Sequence, residues 1–468
     1  MNNDVKALKS GIWYTIATFF TKGTGFITTP IFSRILSKTD YGLFYNYTSC
    51  LSIATIFVSL NLESTMISAR YDHQKEFDSY VFSMMVLSGI SCVMWMMIIN
   101  LFNPFFILLM GIEKKYIYIM MVYLLFSPAV SLYLAREAYR FEYKKNIIVS
   151  LFVSIGSTIV SILLVSVCSD KLEGRILGAS IPTIVMGGIV WWSMIGSGKR
   201  IRVDYWKYAL PICIPYIPHL LSLMVLGYID RIMITRICGP EDNAIYSLAY
   251  TCASIITMFL VAFNKAFGPW LGNKLHIKAY DEIKKVSKSY MAAFMVVSSG
   301  IILLAPEIIN ILGGKSYSDG ILLIPPIASG CVLQFLYGLF VNVEQFEKKT
   351  IWMALASISA AIINYSLNAF FIPLYGYSAA AYTTFSSYLW LLIIHMIIVW
   401  KYGYKNVYSY RFVVSMIVIC CTAMFLFTKV LMMSTVRYIF VGIYVSIICI
   451  GLYICKHKLL TVIKSIIE

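Results

Sequence analysis

Lys22 falls near the middle of an apolar block running from about residue 11 to residue 34, some twelve residues from either end. In a membrane span, a lysine at that depth costs about 2.5–3.5 kcal/mol on insertion scales and cannot snorkel easily to water. Such a cation either pairs with a helix carbonyl or a neighbouring acid, or faces a cavity that receives an anion. The residues around it favour the cavity. Thr15, Thr18, Lys22, Gly25 and Thr29 recur at spacings of three and four and so share one helix face. In the next apolar block Tyr45, Thr48, Ser52, Thr55, Ser59 and Glu63 form a second face, and Ser247, Tyr250, Ser254, Thr257 and Lys265 form a third. Ser357, Asn364 and Asn368 mark a fourth. Isolated hydroxyls are ordinary in membrane helices, where they hydrogen-bond neighbours and permit close packing. Repeated stripes that carry a charge instead predict a water-accessible cavity, lined by Lys22, Thr18, Thr29, Ser52, Thr55, Asn364 and Asn368.

Other ionisable residues lie within or beside apolar blocks. Asp230 and Arg231 stand near the end of a block at 208–235, where Arg231 can snorkel to the interface and act as an anchor. The same block holds Pro211, Pro215 and Pro218, which predicts a kinked or discontinuous helix. Backbone groups freed at membrane depth are tolerated only inside protein or along a cavity. His219 follows these prolines and His395 lies in a later block. Either histidine can carry a proton near neutral pH or be a packed hydrogen-bonding residue. The sequence shows no nucleotide fingerprint, no metal-ligand cluster and no acid pair in a loop, and the 11 cysteines lack ligand-like spacing. Neither a catalytic centre nor a metal site is expected.

Membrane helices must position these residues. Of 468 residues 60% are hydrophobic and only 13% are charged, against about a quarter charged in soluble domains. Apolar blocks of about 20 residues match a hydrocarbon core of ~30 Å, and backbone groups in lipid are satisfied within a helix. The alternation of a membrane β-barrel is missing. The prediction is an all-α polytopic membrane protein with about 14 transmembrane helices. They lie near 11–34, 41–63, 79–102, 116–135, 146–167, 176–196, 208–235, 243–265, 289–311, 320–343, 351–372, 376–399, 411–428 and 437–455. The first block is too long for a signal-peptide core and no small-residue cleavage site follows it, so it reads as the first span.

Lysine and arginine in short loops give the orientation. With the N-terminus inside, 25 of the 38 basic residues fall on the cytoplasmic side and 10 on the other, while Lys22, Arg231 and Lys265 fall within spans. Both termini are therefore expected in the cytoplasm. The net charge of +16 reports topology rather than nucleic-acid binding.

The chain also repeats itself. From Arg34 it reads RILSKTDYGLFYNYTSCLSI, and from Arg236 it reads RICGPEDNAIYSLAYTCASI. At an offset of 202, Arg34, Ile35, Asp40, Cys50, Ser52 and Ile53 align with identical residues at Arg236, Ile237, Asp242, Cys252, Ser254 and Ile255. An offset of six spans predicts two parallel six-helix bundles, 1–203 and 204–405, with two additional helices and a basic tail at 406–468. Parallel repeats build transporters whose substrate site lies between the halves. The repeat also places Glu63 and Lys265 at equivalent cytoplasmic ends of the second and eighth spans. They either meet as a gate or serve as independent interfacial anchors.

The segment SGIWYTIATFFTKGTGFITTPIFSRILSKTDYGLFYNYTS resembles the opening of the polysaccharide biosynthesis (oligosaccharide flippase, O-antigen-type) family. That family belongs to the multidrug/oligosaccharidyl-lipid/polysaccharide exporter superfamily. Arg34-Ile35-Leu36 and Asp40-Tyr41-Gly42-Leu43 carry the resemblance, with Leu210-Pro211 and Asp230-Arg231 at the two ends of the seventh span. The resemblance implies a flippase, not an enzyme, that moves undecaprenyl-diphosphate-linked oligosaccharide across the bacterial inner membrane by alternating access. It further implies a role in surface polysaccharide (O-antigen or capsule) biosynthesis, no cofactor, and coupling to a cation gradient of H⁺ or Na⁺. Whether a polysaccharide polymerase is a partner stays open. A deep basic residue and Ser, Thr, Asn and Tyr stripes suit a diphosphate and a sugar. Two alternatives remain: a peptidoglycan-precursor flippase, and a multidrug or cation antiporter of the same superfamily. The antiporter would call for deep Asp or Glu, and none stands out in the sequence.

Overall fold

A computed structural model of the chain describes residues 23–140, 142–198, 200–348 and 350–467, with side chains at all of these except 265, 266 and 451–467. Lys22 and Thr18 lie outside the described residues, and so does the side chain of Lys265. Among the described residues every regular element is helical. The chain divides into two compact units, Met1–Ser247 with Thr350–Thr383, and Leu248–Lys349 with Thr384–Glu468.

The first unit contains α1 (23–35), α2 (Lys38–Ser59), α3 (Met66–Asp72), α4 (Phe77–Leu101), α5 (Asn103–Met110) and α6 (Lys114–Tyr139). It continues with α7 (Tyr143–Val167), α8 (Lys171–Gly198), α9 (Val203–Cys213) and α10 (Ile217–Ile237). The start of α11 (Pro240–His276) belongs to this unit and the rest to the second, which holds α12 (Tyr280–Leu303), α13 (Ala305–Leu312) and α14 (Ile324–Phe346). α15 (Thr350–Tyr375) returns to the first unit, and α16 (Ala379–Lys401) passes again into the second. There α17 (Tyr410–Met432) and α18 (Ser434–Ile467) follow. Eleven helical segments among the described residues are long and apolar enough to cross a membrane, or twelve if the bent pair α2–α3 counts as one span. Most of the expected first span lies outside the described residues, and the expected last one falls in α18, whose described apolar stretch is Ser434–Ile450. This is the all-α, polytopic membrane architecture that the hydropathy pattern predicts.

Local sequence explains how the helices of the first unit meet. α7 and α8 pack along their lengths because Gly174 and Gly178 present bare backbone one turn apart. A Cβ at Gly178 would stand 2.2 Å from the Ser161 Cα, and one at Gly174 would stand 2.8 Å from the Leu164 carbonyl oxygen. Small residues at this spacing let membrane helices approach to backbone contact, which yields dispersion energy where no hydrophobic force operates between helices. The G-x-x-x-G spacing was legible in the sequence, but nothing in it named α7 as the partner.

The Asp40-Tyr41-Gly42-Leu43 motif opens α2. Ser37 caps the helix: its hydroxyl accepts from the Asp40 N–H at 3.0 Å and donates to the Asp40 carboxylate at 2.7 Å, a reciprocal cap that satisfies an orphan amide. Two residues on, Gly42 lies directly under the start of α11. A Cβ there would stand 1.7 Å from the Pro240 carbonyl oxygen. Asn243, fully buried, donates to the Gly42 carbonyl at 2.8 Å. The two copies of the repeated loop motif therefore touch each other, and the glycine is where they cross.

The prolines act as predicted. α9 ends at Cys213, a 3-10 turn spans Ile214–Tyr216, and α10 starts at Ile217 with Pro218 in its first turn. A proline in the first turn has no helical acceptor to forgo.

Candidate functional site

The polar face predicted on the eleventh span is real and meets α10. Ser357, Asn364 and Asn368 are all buried on α15. The His219 Nδ1 lies 2.7 Å from the Ser357 hydroxyl, and the Asn368 amide donates to Asp230 Oδ1 at 2.6 Å. Both pairs are 138 residues apart, so α10 and α15 run parallel and in register over this interval. The Tyr246 hydroxyl donates to Asp230 Oδ2 at 2.6 Å, the Asn368 amide also reaches Asn364 Oδ1 at 3.3 Å, and the Thr383 hydroxyl donates to Asn368 Oδ1.

Burial gives this cluster its chemistry. Asp230 is 1% exposed and Asn364 and Asn368 are 0% exposed. A carboxylate so placed is costly unless donors or a cation compensate it. Its neighbours supply donors, the Asn368 amide N–H and the Tyr246 hydroxyl, which stabilise the ionised carboxylate, and the carboxylate can alternatively hold a proton. Among the described residues no group of three or more His, Cys, Asp or Glu converges on a point.

Two expectations need correction. Arg231 does not extend outward as a snorkelling anchor. It is 6% exposed, its Nη1 donates back to the Gly227 carbonyl at 3.1 Å, and its guanidinium stands 5.5 Å from the Tyr228 ring. Acidic residues are also buried, contrary to the impression the sequence gives. In addition to Asp230 in the first unit, Glu344 in the second is 2% exposed, and its Oε1 lies 2.7 Å from His395 Nδ1. The Tyr337 ring stacks on this imidazole with centroids 5.7 Å apart. Sequence reading singled out His395 and missed Glu344, because a single acid near the end of an apolar block reads as an interfacial residue until a partner on another helix is known.

The α2 stripe serves two purposes. Ser52 and Thr55 donate to the carbonyls of Thr48 and Leu51 at 2.8 and 2.7 Å, and Thr29 on α1 donates to Gly25 at 2.8 Å. These hydroxyls are thus satisfied by their own helices as donors and keep lone pairs to offer. Thr55, Ser59 and Glu63 also line a polar recess against α6. Glu63 itself is exposed and sits in the turn Leu62–Thr65 between α2 and α3. Arg175, which loop counting places outside the spans, lies between two rings, 3.9 Å from that of Phe32 and 4.2 Å from that of Phe44, with Nη1 on the Ser161 hydroxyl at 2.6 Å. Only the packing of α1, α2 and α8 could reveal it.

Solved structures share the fold. The lipid II flippase MurJ in an inward closed conformation superposes with a TM-score of 0.71 at 14% identity, over 94% of this chain and 100% of that one. An inward-facing multidrug resistance MATE transporter of the MOP superfamily gives 0.63 at 11% identity, over 83% of this chain and 96% of the other. At these identities the likeness is one of fold. Among curated sequences, an uncharacterized membrane protein of Haemophilus influenzae is 22% identical over 313 residues, 64% of this chain and 74% of the relative. A protein of the Lsg locus of the same organism is 21% identical over 306 residues, 63% of this chain and 72% of the relative. The model of the polysaccharide biosynthesis protein family matches residues 7–275, more than half of the chain, and the chain belongs to that family.

Proposed function

We propose that the protein is a flippase for undecaprenyl-diphosphate-linked oligosaccharide in the bacterial inner membrane, working by alternating access in surface polysaccharide biosynthesis. The observation that carries this reading is the combination of polysaccharide biosynthesis family with a transporter fold shared over nearly the whole chain with a lipid II flippase. The repeat supports a division into bundles 1–203 and 204–405 with two helices appended at 406–468, and the loop charges support cytoplasmic termini. Lys22, with Thr18 and Thr29 beside it, is assigned to the diphosphate, and Ser52 and Thr55 to the same cavity. The cluster of Asp230, Asn364 and Asn368 is assigned to the coupling cation, H⁺ or Na⁺, because the carboxylate at its centre is buried and can exchange a proton or a small cation. Glu63 and Lys265 are assigned to the cytoplasmic gate, and Arg231 and His219 to coupling.

Deletion of the gene tests this. Single lipid-linked sugar units should accumulate on the cytoplasmic leaflet, out of reach of a membrane-impermeant probe on spheroplasts, with loss of surface polysaccharide. The buried acids Asp230 and Glu344 favour one second reading, a cation-coupled drug antiporter. Normal surface glycan with altered sensitivity to cationic compounds would establish that reading and overturn ours.

A further inference from the structure

The break at the end of α2 faces a proline within α6. α2 stops at Ser59, and the next two residues, Leu60 and Asn61, both take left-handed backbone conformations with φ of 50° and 52°. Successive non-glycine residues in that region are sterically costly and persist only where the surrounding structure holds them, which is a mark of functional sites. The chain resumes as the Leu62–Thr65 turn and α3, at 49° to α2. Opposite this break, α6 carries Pro128 in its interior, which withholds a hydrogen bond from the carbonyl four residues earlier. Irregular backbone within an apolar span is tolerated where it lines a cavity, and discontinuous helices are how transporters build substrate sites.

Between the α2 break and the proline-bearing turn of α6 is a recess of about 120 Å³, lined by Thr55, Ser59 and Glu63 on one side and by Tyr123, Ser127 and Ser131 on the other. A space of this size admits several waters or part of one sugar ring. Its chemistry is lopsided. Glu63 faces it and has no ion pair among the described residues. The Ser127 hydroxyl has no hydrogen-bond partner among them. Thr55 spends its proton on Leu51, and Ser59 accepts from the Asn61 N–H at 3.3 Å. The recess therefore offers acceptors at Glu63, Thr55 and Ser59 beside the uncommitted hydroxyl of Ser127, and the Glu63 carboxylate disfavours a phosphate. Leu62, Pro128 and Leu132 add an apolar wall. Acceptors at the edge and carbon on the flat complement a pyranose ring, whose hydroxyls radiate from a C–H face.

We propose that this recess is the glycan subsite, in which Glu63, Ser127 and Ser131 receive hydroxyl protons of a sugar of the transported molecule, apart from the diphosphate. This rests on the flippase reading, and it replaces the gate role of Glu63 with a recognition role. Purified protein would be titrated with two probes, the lipid-linked saccharide extracted from a gene-deletion strain and undecaprenyl diphosphate. Wild type should bind the saccharide more tightly. Glu63→Gln should weaken that probe about tenfold, the loss of one charge-assisted hydrogen bond, and Ser131→Ala should weaken it severalfold. Neither should move the undecaprenyl diphosphate Kd beyond twofold, which also shows that the variants are folded. Failure of wild type to bind either probe would sink the flippase reading and this one with it. Sugar-dependent binding that both variants retain would overturn the subsite alone. So would a Glu63→Gln effect confined to the Na⁺ or pH dependence of binding, which would make the recess a cation site.

Discussion

Gly42→Ala should destabilise the protein strongly, although alanine is ordinarily the better helix residue. The added methyl would stand 1.7 Å from the Pro240 carbonyl oxygen, where real Cβ atoms stay beyond 3.0 Å. The starts of α2 and α11 must then part by about 1.3 Å, since the obstacle is backbone and cannot rotate aside. Overpacking of this kind costs about 1–3 kcal/mol. Separation also stretches the Asn243 bond to the Gly42 carbonyl, and leaving a fully buried amide unsatisfied adds about 1–3 kcal/mol. Replacing a helical glycine returns roughly 0.5–1 kcal/mol. The net loss is about 1–5 kcal/mol, to be read as a lower melting temperature of purified protein in detergent. Gly227→Ala is the control: it is also helical, but nothing lies within 4 Å of its Cβ position, so it should melt at or slightly above wild type. If Gly42→Ala melts with the control, Pro240 does not lie over Gly42 and the contact between the two repeat motifs is refuted.

Three further outcomes follow from other contacts. Asp230→Asn should keep the fold but flatten the dependence of transport on Na⁺ or pH, measured in reconstituted vesicles; an unchanged dependence removes the cluster from the coupling role. Glu344→Ala and His395→Ala should each cost about 1–3 kcal/mol because each leaves a buried partner unsatisfied. The double variant should cost less than their sum, and strict additivity in melts would show that the two do not interact. Asp170, in the turn before α8, is subject to burial that raises its pKa. Its bonds from Lys115 at 2.7 Å and Tyr116 at 3.0 Å nevertheless hold the carboxyl below its usual range. A carboxylate depressed in the folded state contributes stability that is complete above its unfolded pKa, about 3.9, and is lost as pH falls through the folded value. Melting temperature should therefore drop more steeply below pH 4 in wild type than in Asp170→Asn, and parallel pH profiles would contradict the assignment.

What the sequence determined by itself is what a bilayer imposes locally. Blocks of about 20 apolar residues have to be helices because each backbone group must find its partner within the segment. The prolines before His219 had to interrupt one of them, and the loop motif at Asp40–Leu43 sufficed to indicate the family. The face Ser357–Asn364–Asn368 was legible because helical periodicity alone puts those residues together. Periodicity says which residues share a face and nothing about what the face meets. That Asn368 meets Asp230, that Glu344 meets His395, and that Arg175 lies between Phe32 and Phe44 are contacts between segments many residues apart. Arg231 illustrates the same limit from the other side. It lies in the second half of α10, but whether a long cation reaches for water or folds back onto its own helix depends on the neighbours that enclose it, and those only the tertiary structure supplied.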